Sequence, residues 1–200
     1  MKKLNGLHRM AMGLGVAVVV GILVAVMAIP AGAASGGVSA SGENQANITI
    51  TLSDSTADFG TNLDPSGTAS NSSDTVVARA GSTGNQGAYY EWKANGGAGL
   101  TIEVKSNKTW NGTVAASENS GTSSSMTVAS GALRYAEGSE PTSYSACASG
   151  TAFQSTAQTW KSNIAKGKSS YTQYYCLRVD WTDDPGTFAS NTTYTVTQAD

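Results

Sequence analysis

Hydrophobic and polar residues alternate in several short stretches of this chain, and the clearest of them lies near its end. Large apolar residues recur there at every second position, so they lie on one face of an extended strand. They are Tyr175, Leu177, Val179 and Trp181. An Asp-Asp-Pro-Gly turn at 183–186 follows, before Tyr194 and Val196 resume the alternation. This pattern predicts an antiparallel hairpin with a long connection, whose second arm is the last strand of the domain.

The same alternation predicts other strands upstream, separated by turn residues. They cover residues 47–52, 75–80, 88–94, 100–105 and 110–114, with short candidates at 126–128 and 133–135. We expect the strands between 75 and 114 to form a meander, and 138–150 to be irregular. The spacing of apolar residues in 153–164 fits a helix or a strand, and its Thr, Ser and Asn content favours strand or loop.

Eight to ten short strands with turns between them are typical of an all-β protein, an antiparallel β-sandwich of Ig-like or jelly-roll-like type. Composition agrees, because the chain is rich in Ser, Thr, Gly and Asn, and only 13% of its residues are charged. We expect one such domain over residues 47–200.

The N-terminus has the features of a secretory signal peptide over residues 1–33. Residues 1–9 are basic, 10–29 are almost wholly apolar, and small residues follow up to Ala34. Cleavage is expected after Ala33, which leaves residues 34–46 as a flexible segment or a donor strand. The apolar run is also long enough to span a bilayer. A retained N-terminal helix, as in a pilin-like subunit, is therefore the alternative; with cleavage we expect no membrane association.

Charge argues against a nucleic-acid partner. Without Lys2, Lys3 and Arg9 of the leader, nine basic residues oppose 14 acidic ones, for a net charge of -5. Nucleic-acid binding would require a basic surface. We expect an extracellular or cell-surface location, since a signal peptide exports the chain.

Cys147 and Cys176 are the only cysteines. In an exported protein they predict a disulfide, which stabilises the fold by about 3 kcal/mol in the chain-entropy model. Two free buried thiols are the alternative.

The residue types present argue against an enzyme and against a cofactor. The only histidine is His8, in the leader, so the usual base of a Ser-His-Asp triad is missing from the mature chain. Zinc, iron and copper sites usually need imidazole or thiolate ligands. Glu91 and Glu103 lie on neighbouring predicted strands and could form a glycosidase pair, but we expect two solvated strand-face glutamates instead.

A weak calcium candidate follows the last long strand. Asp180, Asp183 and Asp184 place three carboxylates within five residues, with Asp200 a further candidate, and calcium prefers oxygen ligands. Aspartate is also favoured in turns for its own local hydrogen bonds, which is the interpretation that we favour.

Aromatic residues suggest a second binding chemistry. If two or three were exposed in one plane, they would stack on sugars, as in a carbohydrate-binding module or adhesin that takes cell-surface polysaccharide. Their alternation with polar residues favours core packing instead, with Tyr89 and Tyr174 on the opposite strand faces. The other aromatic residues considered for this platform are Trp92, Trp110, Trp160, Trp181, Tyr90 and Tyr175.

Five Asn-X-Ser/Thr sequons mark possible glycosylation sites. Several would arise by chance in a chain with this composition. They begin at Asn47, Asn71, Asn107, Asn111 and Asn191.

Three segments resemble a known group of proteins: ITITLSDSTADFGTNLDP early, VKSNKTWNGTV in the middle, and LRVDWTDDPGTFASNTTYTVT at the end. Together they resemble small secreted Ig-like β-sandwich proteins of prokaryotic surfaces, which include WxL-type surface proteins and fibre subunits similar to TasA and archaeal threads. A WxL tripeptide is absent. The resemblance implies the fold and a surface location more than an activity.

The leading hypothesis is therefore a structural protein that assembles with copies of itself into an extracellular fibre or pilus. In such fibre families an N-terminal strand can complete the sheet of the next subunit, which satisfies an open edge and fills pockets with alternate side chains. The donor residues would be Val38, Ile48, Ile50 and Leu52. The alternative is that residues 47–52 pair within their own domain.

Overall fold

The computed structural model describes residues 44–67, 72, 74–94 and 97–199. The predicted signal peptide, Val38, Asn71 and Asp200 lie outside these residues, as does most of the segment 34–46. Among the described residues, no helix is both long and apolar enough to cross a membrane.

Strands are the main regular secondary structure of the described chain, as the alternating pattern predicts. They are β1 (Ile48–Leu52), β2 (Thr75–Ala80), β3 (Ala88–Lys93), β4 (Leu100–Ser106), β5 (Trp110–Ala116), β6 (Leu133–Glu137), β7 (Thr151–Ala152), β8 (Gln158–Ile164), β9 (Gly167–Val179) and β10 (Thr192–Gln198); one short helix, α1 (Tyr144–Ala148), lies between β6 and β7.

Two antiparallel sheets form a β-sandwich, which confirms the predicted fold class. The larger sheet follows the path β1-β4-β9-β3-β2, with β6 paired to β9 and β7 paired to β6. The smaller sheet has the order β10-β5-β8. The thirteen-residue β9 is the centre of the larger sheet, because its first half pairs with β4 while its second half lies between β3 and β6.

The core consists of the inward faces of both sheets. The strands β4 and β5 alternate buried and accessible residues along their length, which is the period expected of strands with one face inside. Aromatic side chains contribute much of the buried area, and each completely buried large apolar side chain stabilises the fold by about 2 kcal/mol. The largest fully buried apolar side chains are Trp92, Trp110, Tyr90, Phe153 and Ile102.

The outer face of the larger sheet is partly covered by α1. Ser143 caps this helix by accepting a hydrogen bond from the backbone amide of Ala146. A small cluster forms beneath it from Tyr89 and the two half-cystines, and the ring of Tyr89 packs on that of Tyr144 at 5.0 Å between centroids. The helix interrupts the stretch that the sequence predicts to be irregular.

The predicted terminal hairpin is wrong. The second half of β9 already lies between β3 and β6, and β10 pairs with β5 in the other sheet. Residues 180–191 therefore connect the two sheets instead of closing a hairpin.

The predicted meander is also wrong, because β3 and β4 do not pair with each other. Both run antiparallel to β9, opposite different halves of it. Residues 126–128 are not a strand but precede a turn, in which the amide of Gly131 donates to the carbonyl of Val128 at 2.9 Å. The choice of strand over helix for 153–164 is confirmed by β8.

Candidate interaction site between the sheet edges

The strand β1 occupies an edge of the larger sheet and pairs with β4 along its whole length, from Ile48 opposite Ser106 to Leu52 opposite Ile102. The proposed donor residues Ile48, Ile50 and Leu52 thus complete the sheet of their own domain in this structure, which is the alternative that the sequence left open. Ile48 and Ile50 pack against the core, while Leu52 is 39% exposed.

The edge strands β1 and β10 are tied together at one end. The side-chain amide of Gln198 donates to the carbonyl of Asn47 at 2.8 Å and to Oδ1 of Asn107 at 3.0 Å. The amide nitrogen of Asn107 in turn donates to the carbonyl of Gln45 at 2.6 Å. This end of the sandwich is therefore closed by polar contacts.

At the other end of β1 a cleft of about 410 Å³ opens between residues 52–59 and 188–194. Its floor reaches side chains of the core, namely Trp92, Leu100, Leu133 and Tyr175. Its walls are polar near the surface, with Asp54, Ser190 and Asn191 among the lining residues. We call this space the inter-sheet cleft.

A second groove of about 640 Å³ shares Ala57, Phe59 and Phe188 with the inter-sheet cleft. Its apolar lining includes Met126, Leu177 and Val179, and its rim carries the carboxylates of Asp58, Asp180, Asp183 and Asp184. An apolar floor with a polar rim is the usual composition of a binding groove.

The three aspartates of the calcium hypothesis all contact other groups of the protein. Asp183 Oδ2 accepts from the amide of Asp180 at 2.7 Å, and Asp180 Oδ2 pairs with Arg178 at 2.8 Å. Asp184 Oδ2 accepts from the hydroxyl of Ser124. Within the described residues no group of three or more acidic, Cys or His side chains is arranged to hold a metal ion. The contact between Asp180 and Asp183 is that of turn residues.

The aromatic side chains pack in the core in preference to forming a flat platform. Trp92, Trp110 and Trp160 are at most 8% exposed, and Tyr89 is 2% exposed. Trp181 is the exception at 59%, because it lies beyond the end of β9. Trp181 is thus the single tryptophan that is accessible to a sugar.

The candidate glycosidase pair does not assemble. Glu91 lies opposite Cys176 and Glu103 lies opposite Ser170, so six residues of β9 separate them, or about 20 Å. Glycosidase carboxylates lie within about 10 Å of each other. Glu91 is also fully buried and paired with Arg79, and it is not the solvated residue that the sequence suggests. Glu103 pairs with Lys105 and Lys168, whose hydrogen bonds lower its pKa.

The sequons differ in how accessible their asparagines are. Asn47 and Asn191 are exposed. Asn107 and Asn111 are half-buried, and their side chains hold backbone groups of neighbouring segments. Glycosylation stays a prediction, and its accessible positions among the described sequons are Asn47 and Asn191.

The predicted disulfide between Cys147 and Cys176 is confirmed, with a distance of 5.9 Å between the two Cα atoms. It joins α1 to the second half of β9 on the outer face of the larger sheet. Both half-cystines are completely buried.

A polar network between the sheets was missed by the sequence analysis. Tyr175 donates to the phenol oxygen of Tyr194 at 2.7 Å, and Tyr194 donates to Oε1 of Gln173. The amide nitrogen of Gln173 donates to Oε2 of Glu137 at 3.2 Å. Burial raises the pKa of Tyr175 to about 12 and that of Tyr194 well above its ordinary value, so both phenols remain protonated donors.

Glu137 also receives two hydrogen bonds from β8. Trp160 Nε1 donates to its Oε2 at 2.8 Å, and Lys161 Nζ pairs with its Oε1. Burial alone would raise the pKa of Glu137, but these donors and Gln173 lower it below the ordinary value. One feature of the sequence indicates this network. Gln173 alternates with Tyr171 and Tyr175, so a polar residue lies on the strand face that the pattern predicts to be buried.

No protein-family model, curated protein or solved structure significantly matches this chain. The assignment of the fold as a β-sandwich therefore depends on the structure alone.

Proposed function

We propose that this protein is a secreted structural subunit of the cell surface that assembles with its own copies into an extracellular fibre by strand exchange. The observation that supports it most is the inter-sheet cleft, which reaches from the surface to core aromatic side chains directly beside the end of β1. A cleft that reaches the core between two sheet edges is a suitable acceptor for a strand from a second copy.

The segment 34–46 has a suitable composition for the donor. It contains Val38, several alanines, glycines and serines, and Glu43 as its single charged residue. Small apolar side chains suit a narrow cleft, and the near absence of charge avoids the cost of burying ionised groups. In this arrangement β1 remains in its own sheet, and the residues before it enter the inter-sheet cleft of the next subunit.

Electron microscopy of the mature protein tests this function. We expect regular filaments from the intact chain and monomers from a variant that lacks residues 35–45, which keeps β1. Circular dichroism and thermal unfolding of the shortened variant show whether its domain is intact.

A synthetic peptide of residues 34–46 should inhibit filament growth, whereas the same peptide with Val38→Asp should not. Monodisperse intact protein under all conditions, or filaments that survive the deletion, would contradict strand exchange.

Binding of a surface polysaccharide is the second candidate, and the exposure of Trp181 favours it. Its test is tryptophan fluorescence of the monomer titrated with polysaccharides. A spectral shift that is lost in Trp181→Ser supports this candidate. An unchanged spectrum with every polysaccharide tested argues against it.

A further inference from the structure

Three side chains that can form an amide bond meet at the end of the polar network: an amine, a carboxamide and a carboxylate. Lys161 Nζ and Gln173 Nε2 both contact the carboxylate of Glu137, one on each oxygen. The three residues come from β8, β9 and β6, so the cluster joins the smaller sheet to the larger one.

The irregular pairing of β8 places its side chains here. The register between β5 and β8 shifts twice, on either side of the pair Gly112 and Lys161. Such bulges change the direction of side chains, and here both Trp160 and Lys161 reach Glu137 although neighbours on a regular strand point to opposite faces. A bulged strand that directs a lysine toward a partly buried carboxylate is an arrangement that packing alone does not require.

The surroundings of the cluster are aromatic. Lys161 Nζ lies 4.1 Å from the ring centroid of Tyr171, and the ring of Trp160 lies 5.2 Å from those of Tyr171 and Tyr194. The side chain of Gln173 is completely buried, and those of Lys161 and Glu137 are 18% and 28% exposed. Low polarity strengthens each polar interaction within the cluster.

We propose that Lys161 and Gln173 form an intramolecular isopeptide bond, with Glu137 as the proton-transfer group. A bond forms between Nζ of Lys161 and Cδ of Gln173, and the bond between Cδ and Nε2 of Gln173 breaks. The lysine ammonium and the glutamine carboxamide become a secondary amide and an ammonium ion. No oxidant or other co-reactant is needed.

The nitrogen and the oxygen of the glutamine amide each have a partner suited to this reaction. Glu137 carries two protons in turn from Nζ to Nε2, because it contacts both nitrogens. The hydroxyl of Tyr194 donates to Oε1 of Gln173, where negative charge develops when the amine attacks. Because the fold holds the amine and the amide at the same carboxylate, no collision of two separate reactants is needed. This allows a slow, single-turnover reaction without an enzyme.

The bond would link the two sheets covalently, in addition to the disulfide on the outer face of the larger sheet. This inference does not depend on whether the protein polymerises.

Intact-mass measurement of the reduced, denatured mature protein tests the proposal. We expect a mass lower than the sequence mass by one ammonia molecule, with more complete reaction after incubation in mildly alkaline buffer because the amine must lose its proton. Lys161→Arg keeps the ion pair with Glu137 but removes the nucleophile, so it should retain the full mass. Lys166→Arg is the matched control, since Lys166 is exposed and follows the end of β8.

Peptide mapping locates the bond. Trypsin should leave residues 135–166 joined to 169–178 after the disulfide is reduced, with Lys161 uncleaved. A loss of ammonia without joined peptides would indicate succinimide formation at an Asn-Gly pair and would overturn the proposal. A full mass in folded wild-type protein after prolonged incubation would also overturn it.

Glu137→Gln separates the proton-transfer role from folding. This variant should be folded, as judged by near-ultraviolet circular dichroism, and should form the joined peptides much more slowly than the wild type. Equal rates in both proteins would show that Glu137 does not transfer protons in the reaction.

Discussion

The buried pair of Arg79 and Glu91 offers the sharpest test of the fold. Glu91 Oε2 accepts from Nε of Arg79 at 3.1 Å and from Nη2 at 2.6 Å. The carboxylate is completely buried, and its Oε1 has no hydrogen-bond partner among the described residues. Burial raises the pKa of Glu91 above its ordinary value, and Arg79 opposes that rise. We expect Arg79→Ala to destabilise the domain strongly at neutral pH.

The magnitude follows from what remains around the carboxylate. Removing one partner of a buried ion pair costs about 3 to 5 kcal/mol. The lower end applies here, because Arg79 is 17% exposed and Lys93 remains close enough to favour the ionised form. With a urea dependence of about 2 kcal/mol per molar, a loss of about 3 kcal/mol lowers the unfolding midpoint by about 1.5 M.

The pH dependence identifies the cause. Because the folded-state pKa of Glu91 is raised, its protonated form stabilises the fold at pH values below the unfolded pKa, and this contribution is lost as pH rises through the folded pKa. Without Arg79 the folded pKa rises further. The destabilisation by Arg79→Ala should therefore be largest at neutral pH and should shrink as the pH falls toward the ordinary value of 4.5.

Urea unfolding of the variant at several pH values measures both effects. Lys105→Ala is the control, since Lys105 is 62% exposed and its pair with Glu103 lies at the surface; it should change stability by less than about 0.5 kcal/mol. A loss below about 1 kcal/mol that does not vary with pH would show that Glu91 is not buried under Arg79.

Three further variants probe the disulfide, the sheet packing and the polar network. Replacing Cys147 and Cys176 together with Ser should cost about 3 to 4 kcal/mol in urea unfolding, and adding reductant to the wild type should have the same effect. Gly112→Val should cost about 1 to 3 kcal/mol and change near-ultraviolet circular dichroism, since a Cβ there would lie 2.9 Å from the ring of Trp160; an unchanged spectrum would contradict that packing. Tyr194→Phe should cost about 1 to 3 kcal/mol because it leaves buried amide and phenol groups without their partner, and a loss near zero would show that the network does not contribute.

The strands were predictable because their signal is local. Alternation marks β4 and β5 in the sequence, and the structure buries the predicted faces, including Ile102 and Val104. The disulfide was predictable because the chain has two cysteines and therefore one possible intramolecular pairing. The strands can be inferred from neighbouring residues, and the disulfide can be inferred from the number of cysteines.

Strand pairing was not predictable in the same way. Which strands flank β9 depends on long-range packing. In addition, β9 has buried residues on both faces, such as the adjacent residues Cys176 and Leu177. The alternation of Glu91 with Trp92 suggested a solvated glutamate, but α1 and Arg79 cover that face, and nothing local in the sequence indicates this. The Glu137 cluster likewise depends on bulges in β8, whose positions only the pairing reveals.

The edges of the two sheets differ in a way that bears on assembly. An exposed edge strand invites pairing with another chain unless charge, proline or a bulge prevents it. The strand β8 carries bulges and Lys161, and β2 carries Arg79 in an ion pair. By contrast, β1 and β10 contain no charged residue and no proline, and each is paired along one edge only. These two unprotected strands are joined by Gln198 and flank the inter-sheet cleft, so the side of the molecule that lacks protection is also the side where the proposed donor strand would enter.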